Sequence, residues 1–286
     1  MIYDFDAIGT KWHIDIYDKL DESAGEKIRS NIMKRIDLFD QTYSRFRQDS
    51  LVTKMSREKG TFTLPPDAER MLSLYRELYL TTDGLFTPLI GGLISDAGYD
   101  AEYSLKQKKK LEKPPTWDEA MDYRHPDLMI KKPSLLDFGA AGKGYLVDLV
   151  GKVLEENGVK GYCIDAGGDI LHKGKKPIRI GLENPMDANQ VIGISMLGDG
   201  SICGSAGNRR KWKNFTHIIN PMTLTSPTDI IAVWVAAGTA LLADALASCL
   251  FFVPVSALAA YKFEYVLIHS DGSFEKSPGF QGEIFA

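Results

Sequence analysis

The residues with the clearest chemical potential lie in Asp137-Phe138-Gly139-Ala140-Ala141-Gly142-Lys143-Gly144-Tyr145-Leu146-Val147-Asp148. Two carboxylates and a lysine accompany a run of glycines and alanines at a predicted strand-to-helix junction. Small residues let a bulky, charged ligand approach the backbone. A lysine there faces phosphate, and a carboxylate faces a metal ion or a polar ring edge. The segment therefore points to a phosphorylated ligand. It is not a Walker loop: only Ala140 and Ala141 separate Gly139 from Gly142, and Gly144 follows Lys143 where Ser or Thr is needed. The glycine fingerprint of dinucleotide-binding folds is also missing.

A second constellation is Ala243-Asp244-Ala245-Leu246-Ala247-Ser248. On a helix, Asp244 and Ser248 share one face. A carboxylate and a hydroxyl one turn apart suit a hard cation, with carbonyl and phosphate oxygens completing the shell. The alternative is that Asp244 satisfies nearby backbone while Ser248 bonds within its own helix. Either way, a carboxylate in so apolar a helix needs a partner. Asp165-Ala166-Gly167-Gly168-Asp169 reads as a turn between strands, or as a close approach of backbone to ligand. Thr216-His217-Ile218-Ile219-Asn220-Pro221 offers a histidine, either a general base or a structural residue. Thr42 to Ser50 offers aromatics for stacking and arginines for phosphate, or simply a helix end with exposed basic residues.

These residues need elements to hold them. Ile28, Ile32, Ile36 and Phe39 recur at helical spacing and predict a helix over 21–43. Further helices are predicted over 66–82, 142–156 (stopped by Asn157-Gly158) and 239–252. Strands are predicted over 11–18, 162–166, 178–182, 191–197, 230–236 and 265–269. Residues 95–127 are charged and proline-containing, and part of them reads as a surface excursion. Helices gather early and strands late without regular alternation, which favours an α+β fold.

The chain has 286 residues, 44% of them hydrophobic, and a formal net charge of −4, which gives no electrostatic support for a nucleic-acid partner. The three cysteines form no Cys-x-x-Cys pair, so no zinc site or disulfide framework is indicated. Residues 231–260 are nearly all apolar, but a central Asp244 would cost about 3 kcal/mol in a membrane helix. No membrane span is therefore expected. The first residues carry Asp4, Asp6, Asp15 and Asp18 and no apolar core, so the expected location is cytoplasmic.

Taken together and in order, these landmarks resemble the ApbE family of FAD:protein FMN transferases. Ile8-Gly9-Thr10 is similar to the family's Met-Gly-Thr, and Phe46 to Ser50 to its aromatic-x-x-Asp-Ser. Gly84 to Pro88 resembles its Gly-Ala-Phe-Asp, and Asp137 to Asp148 its long Asp-Leu-Gly-x-x-Ala-Lys-Gly-Tyr-x-x-Asp motif. Asp165 to Asp169, Ile180 to Pro185, His217 to Pro221 and Ala243 to Ser248 resemble further family segments.

The resemblance implies one α+β domain over 1–286, with a T-fold-like core and an FAD site between two lobes. FAD is the substrate: FMN passes to a Ser or Thr of an acceptor flavoprotein, AMP leaves, and Mg²⁺ assists. By position, the Ala140 and Leu241 carbonyls and the Asp244 and Ser248 side chains would hold the metal. Asp137 and Lys143 would contact FAD, and Ile8, Phe46, Leu85, Phe86 and Thr87 would line its pocket. His217 would lie near the reacting phosphate as a base. A metal-dependent FAD pyrophosphatase, or a flavin-binding protein without activity, would use the same residues. The chain departs from the family at Thr87 (Asp is usual), Ser248 (Thr), Gly142 (Ala) and Asn220 (Asp), and lacks Arg-Thr-Gly after Pro221. Ser205-Ala206-Gly207-Asn208 likewise differs from the usual Ser-Gly-x-Tyr.

Overall fold

The computed structural model describes residues 1–208 and 210–285. Its helices are α1 (Glu22–Tyr43), α2 (Leu51–Met55), α3 (Ala68–Thr81), α4 (Gly91–Asp96), α5 (Trp117–Ala120), α6 (Gly142–Glu156) and α7 (Ala240–Cys249). The strands before α6 are β1 (Ile2–Ala7), β2 (Thr10–Ile16), β3 (Gly60–Thr63), β4 (Met121–Arg124) and β5 (Asp127–Ile130). Between α6 and α7 run β6 (Tyr162–Ala166), β7 (Asp169–Lys173), β8 (Ile178–Asn184), β9 (Asp187–Leu197), β10 (Gly200–Ala206), β11 (Lys211–Trp212), β12 (Phe215–Thr216) and β13 (Ile230–Ala237). β14 (Phe263–His269), β15 (Phe274–Lys276) and β16 (Gly282–Ile284) close the chain. The α+β class is as the sequence predicts.

An eight-stranded sheet in the order β1-β2-β6-β7-β10-β13-β14-β15 forms the centre. Its paired strands run antiparallel, so neighbouring residues point to opposite faces. Cys203, Val233, Val235 and Leu267 enter the core beneath the helices. Ile202, Ala232, Trp234, Val266 and Ile268 enter a second core under the sheet β16-β9-β8. Both faces of β13 are thus covered, which is why Ile-Ile-Ala-Val-Trp-Val-Ala-Ala reads as one apolar run.

Helix ends obey local chemistry. The Asp21 carboxylate caps α1 by accepting from the Ala24 N–H at 2.8 Å. α6 ends at Asn157, and Gly158 takes the left-handed conformation (φ +82°) in which the Gly158 and Val159 N–H groups bond the last carbonyls.

The structure adds elements that the sequence reading lacks. β1, β7, β10, β11, β12, β15, β16, the small sheet β3-β5-β4 and the short helices α2, α4 and α5 are additional, being short, charged or rich in small residues. Residues 95–127 are not wholly a surface excursion: the Lys-rich middle is exposed, but Tyr99, Trp117 and Met121 are buried, and α5 carries a full capping box from Thr116 and Glu119.

Candidate active site

The site rests on the contact between α6 and α7, which cap each other. The Asp148 carboxylate on α6 accepts from the Ala240 and Leu241 N–H groups at the start of α7, at 2.8 and 3.0 Å. The Asp244 carboxylate on α7 accepts from the Gly144 N–H in the first turn of α6, at 2.9 Å. Both carboxylates sit where helix N–H groups lack intrahelical partners. Gly144 makes the approach possible: a Cβ there would lie 2.7 Å from the Asp244 Cβ and against the Ala240 carbonyl.

One turn along α7, the Ser248 hydroxyl donates to the Ala140 carbonyl at 3.1 Å. Ala140, Asp244 and Ser248 thus face one cavity of about 230 Å³, together with Lys143 and His217. Leu241 does not join them. It is buried in the first turn of α7 with its N–H on Asp148.

The charge balance here is unusual. Lys143 forms an ion pair with Asp169, whose side chain is fully buried and receives no regular hydrogen bond. Burial alone would lower the Lys143 pKa, but the Asp169 and Asp244 charges carry it above its ordinary value. Burial, and then the Asp169 charge, push the Asp244 carboxyl well above the usual carboxylate range. Two buried carboxylates share one ammonium, so the cavity favours a further cation. The described residues hold no cluster of three His, Cys, Asp or Glu. The donors are instead a carboxylate, a hydroxyl and a carbonyl, all hard oxygens, a set that would suit a hard cation such as Mg²⁺.

A second hollow of about 410 Å³, bordered by Ile8 and Tyr103, adjoins the first. Arg45, Phe46, Tyr99, Asp137, Lys143 and Arg210 border both. The cleft is therefore bipartite, with cations at its waist and aromatic rings beside them. This shape suits a ligand with two ring systems joined by a diphosphate.

Asp137 anchors the waist. It accepts from Arg45 Nε at 2.5 Å and from the Gly139 N–H at 2.6 Å. Arg45 donates a further bond to the Tyr99 carbonyl at 2.8 Å, and its guanidinium lies over Phe46 and Tyr99 at 4.2 and 5.0 Å. Its Nη2 is buried without an acceptor. The residue is 6% exposed, so the reading of 42–50 as an exposed basic helix end does not hold for Arg45.

Leu85, Phe86 and Thr87 wall the smaller hollow from the other side. Phe86 is built into the core, stacked on Tyr75 at 4.8 Å. The Thr87 hydroxyl accepts from the Leu89 N–H at 3.2 Å and so is already committed to capping a short turn. Ile8 lies in the β1–β2 turn at φ +44°, strained for a β-branched residue.

His217 is half-buried, with its Nδ1 sealed from solvent and unpartnered. Burial, and then the Arg210 charge, lower its pKa to about 4. The native ring therefore binds fewer protons than the unfolded one between about pH 4 and 6.5, so stability rises with pH across that window. Acidification from pH 7 to 4 should cost up to about 3 kcal/mol through this ring. His217→Gln should abolish that share, read as a smaller acid-induced drop in the urea midpoint; an unchanged drop would contradict a buried neutral ring.

Sequence reasoning offered the arginines of 42–50 for phosphate without singling out Arg45, and it missed Tyr99, Asp169 and Arg210 as site residues. Asp169 was visible beside its Gly-Gly pair, and Gly167 and Gly168 do adopt positive φ (+68° and +98°). Nothing local tells that the side chain opening β7 points toward the helices.

Comparison with known proteins bears on the fold and the family. Residues 8–265 match the ApbE family. The FAD:protein FMN transferase of Klebsiella pneumoniae (strain 342) is 22% identical over 271 residues, covering 85% of this chain and 75% of that one. The flavin transferase ApbE from Vibrio cholerae superposes with a TM-score of 0.80 at 21% identity, covering 98% and 96% of the two chains. The ApbE protein of Thermotoga maritima gives 0.83 at 20% identity, covering 97% of each. The family match spans nearly the whole chain and includes every landmark from the early turn to α7: the chain belongs to the ApbE family.

Proposed function

We propose that this chain is a metal-dependent FAD:protein FMN transferase, moving FMN from FAD to a Ser or Thr hydroxyl of an acceptor flavoprotein with release of AMP. The observation that carries the reading is the meeting of the Ala140 carbonyl, Asp244 and Ser248 at the floor of a bipartite, cation-waisted cleft. The printed names of the relatives support the reaction. Those three residues would hold Mg²⁺, which when bound supplies charge stabilisation to the diphosphate oxygens.

The chain's own residues divide the remaining tasks. Lys143, Arg45 and Arg210 bind and orient the diphosphate, and Asp137 keeps Arg45 in place. Phe46 and Tyr99 offer faces to a ring, and Leu85, Phe86 and Thr87 close the far wall. His217 is neutral above about pH 4, so its ring is ready to take a proton from the acceptor hydroxyl. The hydroxyl oxygen attacks the FMN phosphorus and a phosphoester bond forms. The bond from that phosphorus to the bridging oxygen breaks, and AMP departs with the electron pair. Pairing of Arg210 with phosphate removes one of the influences that depress His217, so the base strengthens when substrate is present.

The test incubates the purified chain with FAD, Mg²⁺ and short synthetic peptides carrying one central Thr or Ser flanked by glycine, alanine and valine. AMP release matched by FMN mass on a peptide is the expected result. Free FMN and AMP at the same rate without peptide would assign a pyrophosphatase instead, and intact FAD would defeat both.

A further inference from the structure

On the opposite face of the eight-stranded sheet lies another hollow, of about 420 Å³. Ile170, Ile202 and Trp234 form its apolar floor, and Arg179, Ile180 and Gly181 of β8 form one wall. Four small residues, Gly167, Gly204, Ser205 and Ala206, border both this hollow and the catalytic cleft. Only a thin strip of glycine, serine and alanine therefore separates the hollow from the space that holds His217 and Asp244.

The wall strand has an open edge. β8 is the terminal strand of β16-β9-β8. On β9, the Met196 N–H bonds the Gln281 carbonyl at 2.7 Å, and the Ile192 carbonyl accepts from Phe285 at 2.7 Å. Alternate β9 residues Ile192, Ile194 and Met196 thus turn their backbone groups toward β16. Their partners in register, Gly181 opposite Ile194 and Arg179 opposite Met196, turn theirs away from β9. Those N–H and C=O groups lie along the hollow, ready to pair with another strand.

We propose that an extended segment of the acceptor protein adds to β8 as a fourth strand and presents its Ser or Thr across the small-residue strip to the reacting phosphate. This rests on the transferase reading above. Added strands take affinity from main-chain hydrogen bonds and selectivity from alternate side chains. One set of side chains would rest on Ile170, Ile202 and Trp234, favouring apolar groups. The rim carries both signs of charge, from Asp165, Arg179 and Glu183, so an uncharged segment of small residues around the hydroxyl fits best.

Gly181→Pro removes one outward N–H while sparing the bonds to β9, since proline is tolerated on an edge strand. With the peptides described above, this variant should raise the acceptor KM by about tenfold, the equivalent of a lost main-chain bond in a restricted site. FAD affinity, read by flavin fluorescence, should stay within about twofold. Gly181→Ala keeps the N–H, and its methyl meets only the exposed Val191 side chain at 3.0 Å, so it should behave as wild type. Independently, amide exchange in the wild-type chain at Arg179 and Gly181 should slow when peptide is added, which decides the matter even if the proline variant folds poorly. Unchanged exchange at both amides, or transfer by a folded Gly181→Pro with wild-type KM, would overturn the groove while leaving the transferase standing. Failure of the wild-type chain to label any peptide would overturn the transferase reading and the groove with it.

Discussion

Asp244→Asn is expected to slow AMP release by about a thousandfold, the scale of losing a principal charge stabiliser in a phosphoryl-transfer site. The substitution is close to isosteric, and the amide oxygen still accepts from the Gly144 N–H that Asp244 now engages at 2.9 Å. The fold should therefore survive. Stability should even rise slightly. Burial and Asp169 raise the Asp244 pKa, so the native state holds that proton to higher pH than the unfolded chain. By linkage, stability then falls as pH climbs above the ordinary carboxylate range, and the neutral amide escapes that loss. The expected signature is a variant that melts no lower than wild type without Mg²⁺, gains nothing when Mg²⁺ is added, and labels no peptide. Retention of more than about a tenth of the activity would sink the cation assignment.

Gly144→Ala should damage both the fold and the site. That carbon would fall 2.7 Å from the Asp244 Cβ and press on the Ala240 carbonyl, both fixed by helix backbone. Overpacking of this kind costs about 1–3 kcal/mol. The lost bond to Asp244 adds about 1 kcal/mol, while alanine's helix preference over glycine returns a similar amount. A net loss near 2 kcal/mol corresponds to a fall of about 3–4 °C in Tm, with activity lost as Asp244 is displaced from Ala140 and Ser248. Gly151, two turns along the same helix, is the control. A methyl there meets the ends of Leu171 and Tyr162, which can move. Gly151→Ala should keep its activity, and equal losses in both variants would show that the helix contact at Gly144 is not special.

Where the fold was legible, the chain stated its own boundaries. The helix predicted over 142–156 is α6 residue for residue, because an apolar period ends at Asn157-Gly158 and Gly158 takes the cap conformation. The strand predicted over 162–166 is likewise β6. The region around Tyr99 was opaque, since charged neighbours in sequence conceal a ring that stacks on Trp212 more than a hundred residues away. The candidate site divides the same way. Asp244, Ser248 and Lys143 stood out as residue types out of place in small or apolar surroundings. Asp169 did not, because its burial is decided by a distant partner, Lys143, and among the arginines of 42–50 only the distant Asp137 marks out Arg45. Leu241 does not border the cavity, and its N–H is spent on Asp148.

The mutual capping of α6 and α7 has a consequence for biosynthesis. The bond from Gly144 to Asp244 spans 100 residues, and the one from Ser248 to Ala140 spans 108. During synthesis, α6 emerges from the ribosome long before its counterpart, with its opening amides unsatisfied and its glycine face bare. The nascent polypeptide thus cannot close the contact between α6 and α7 until most of its length has been translated, and contacts so distant in sequence favour slow folding.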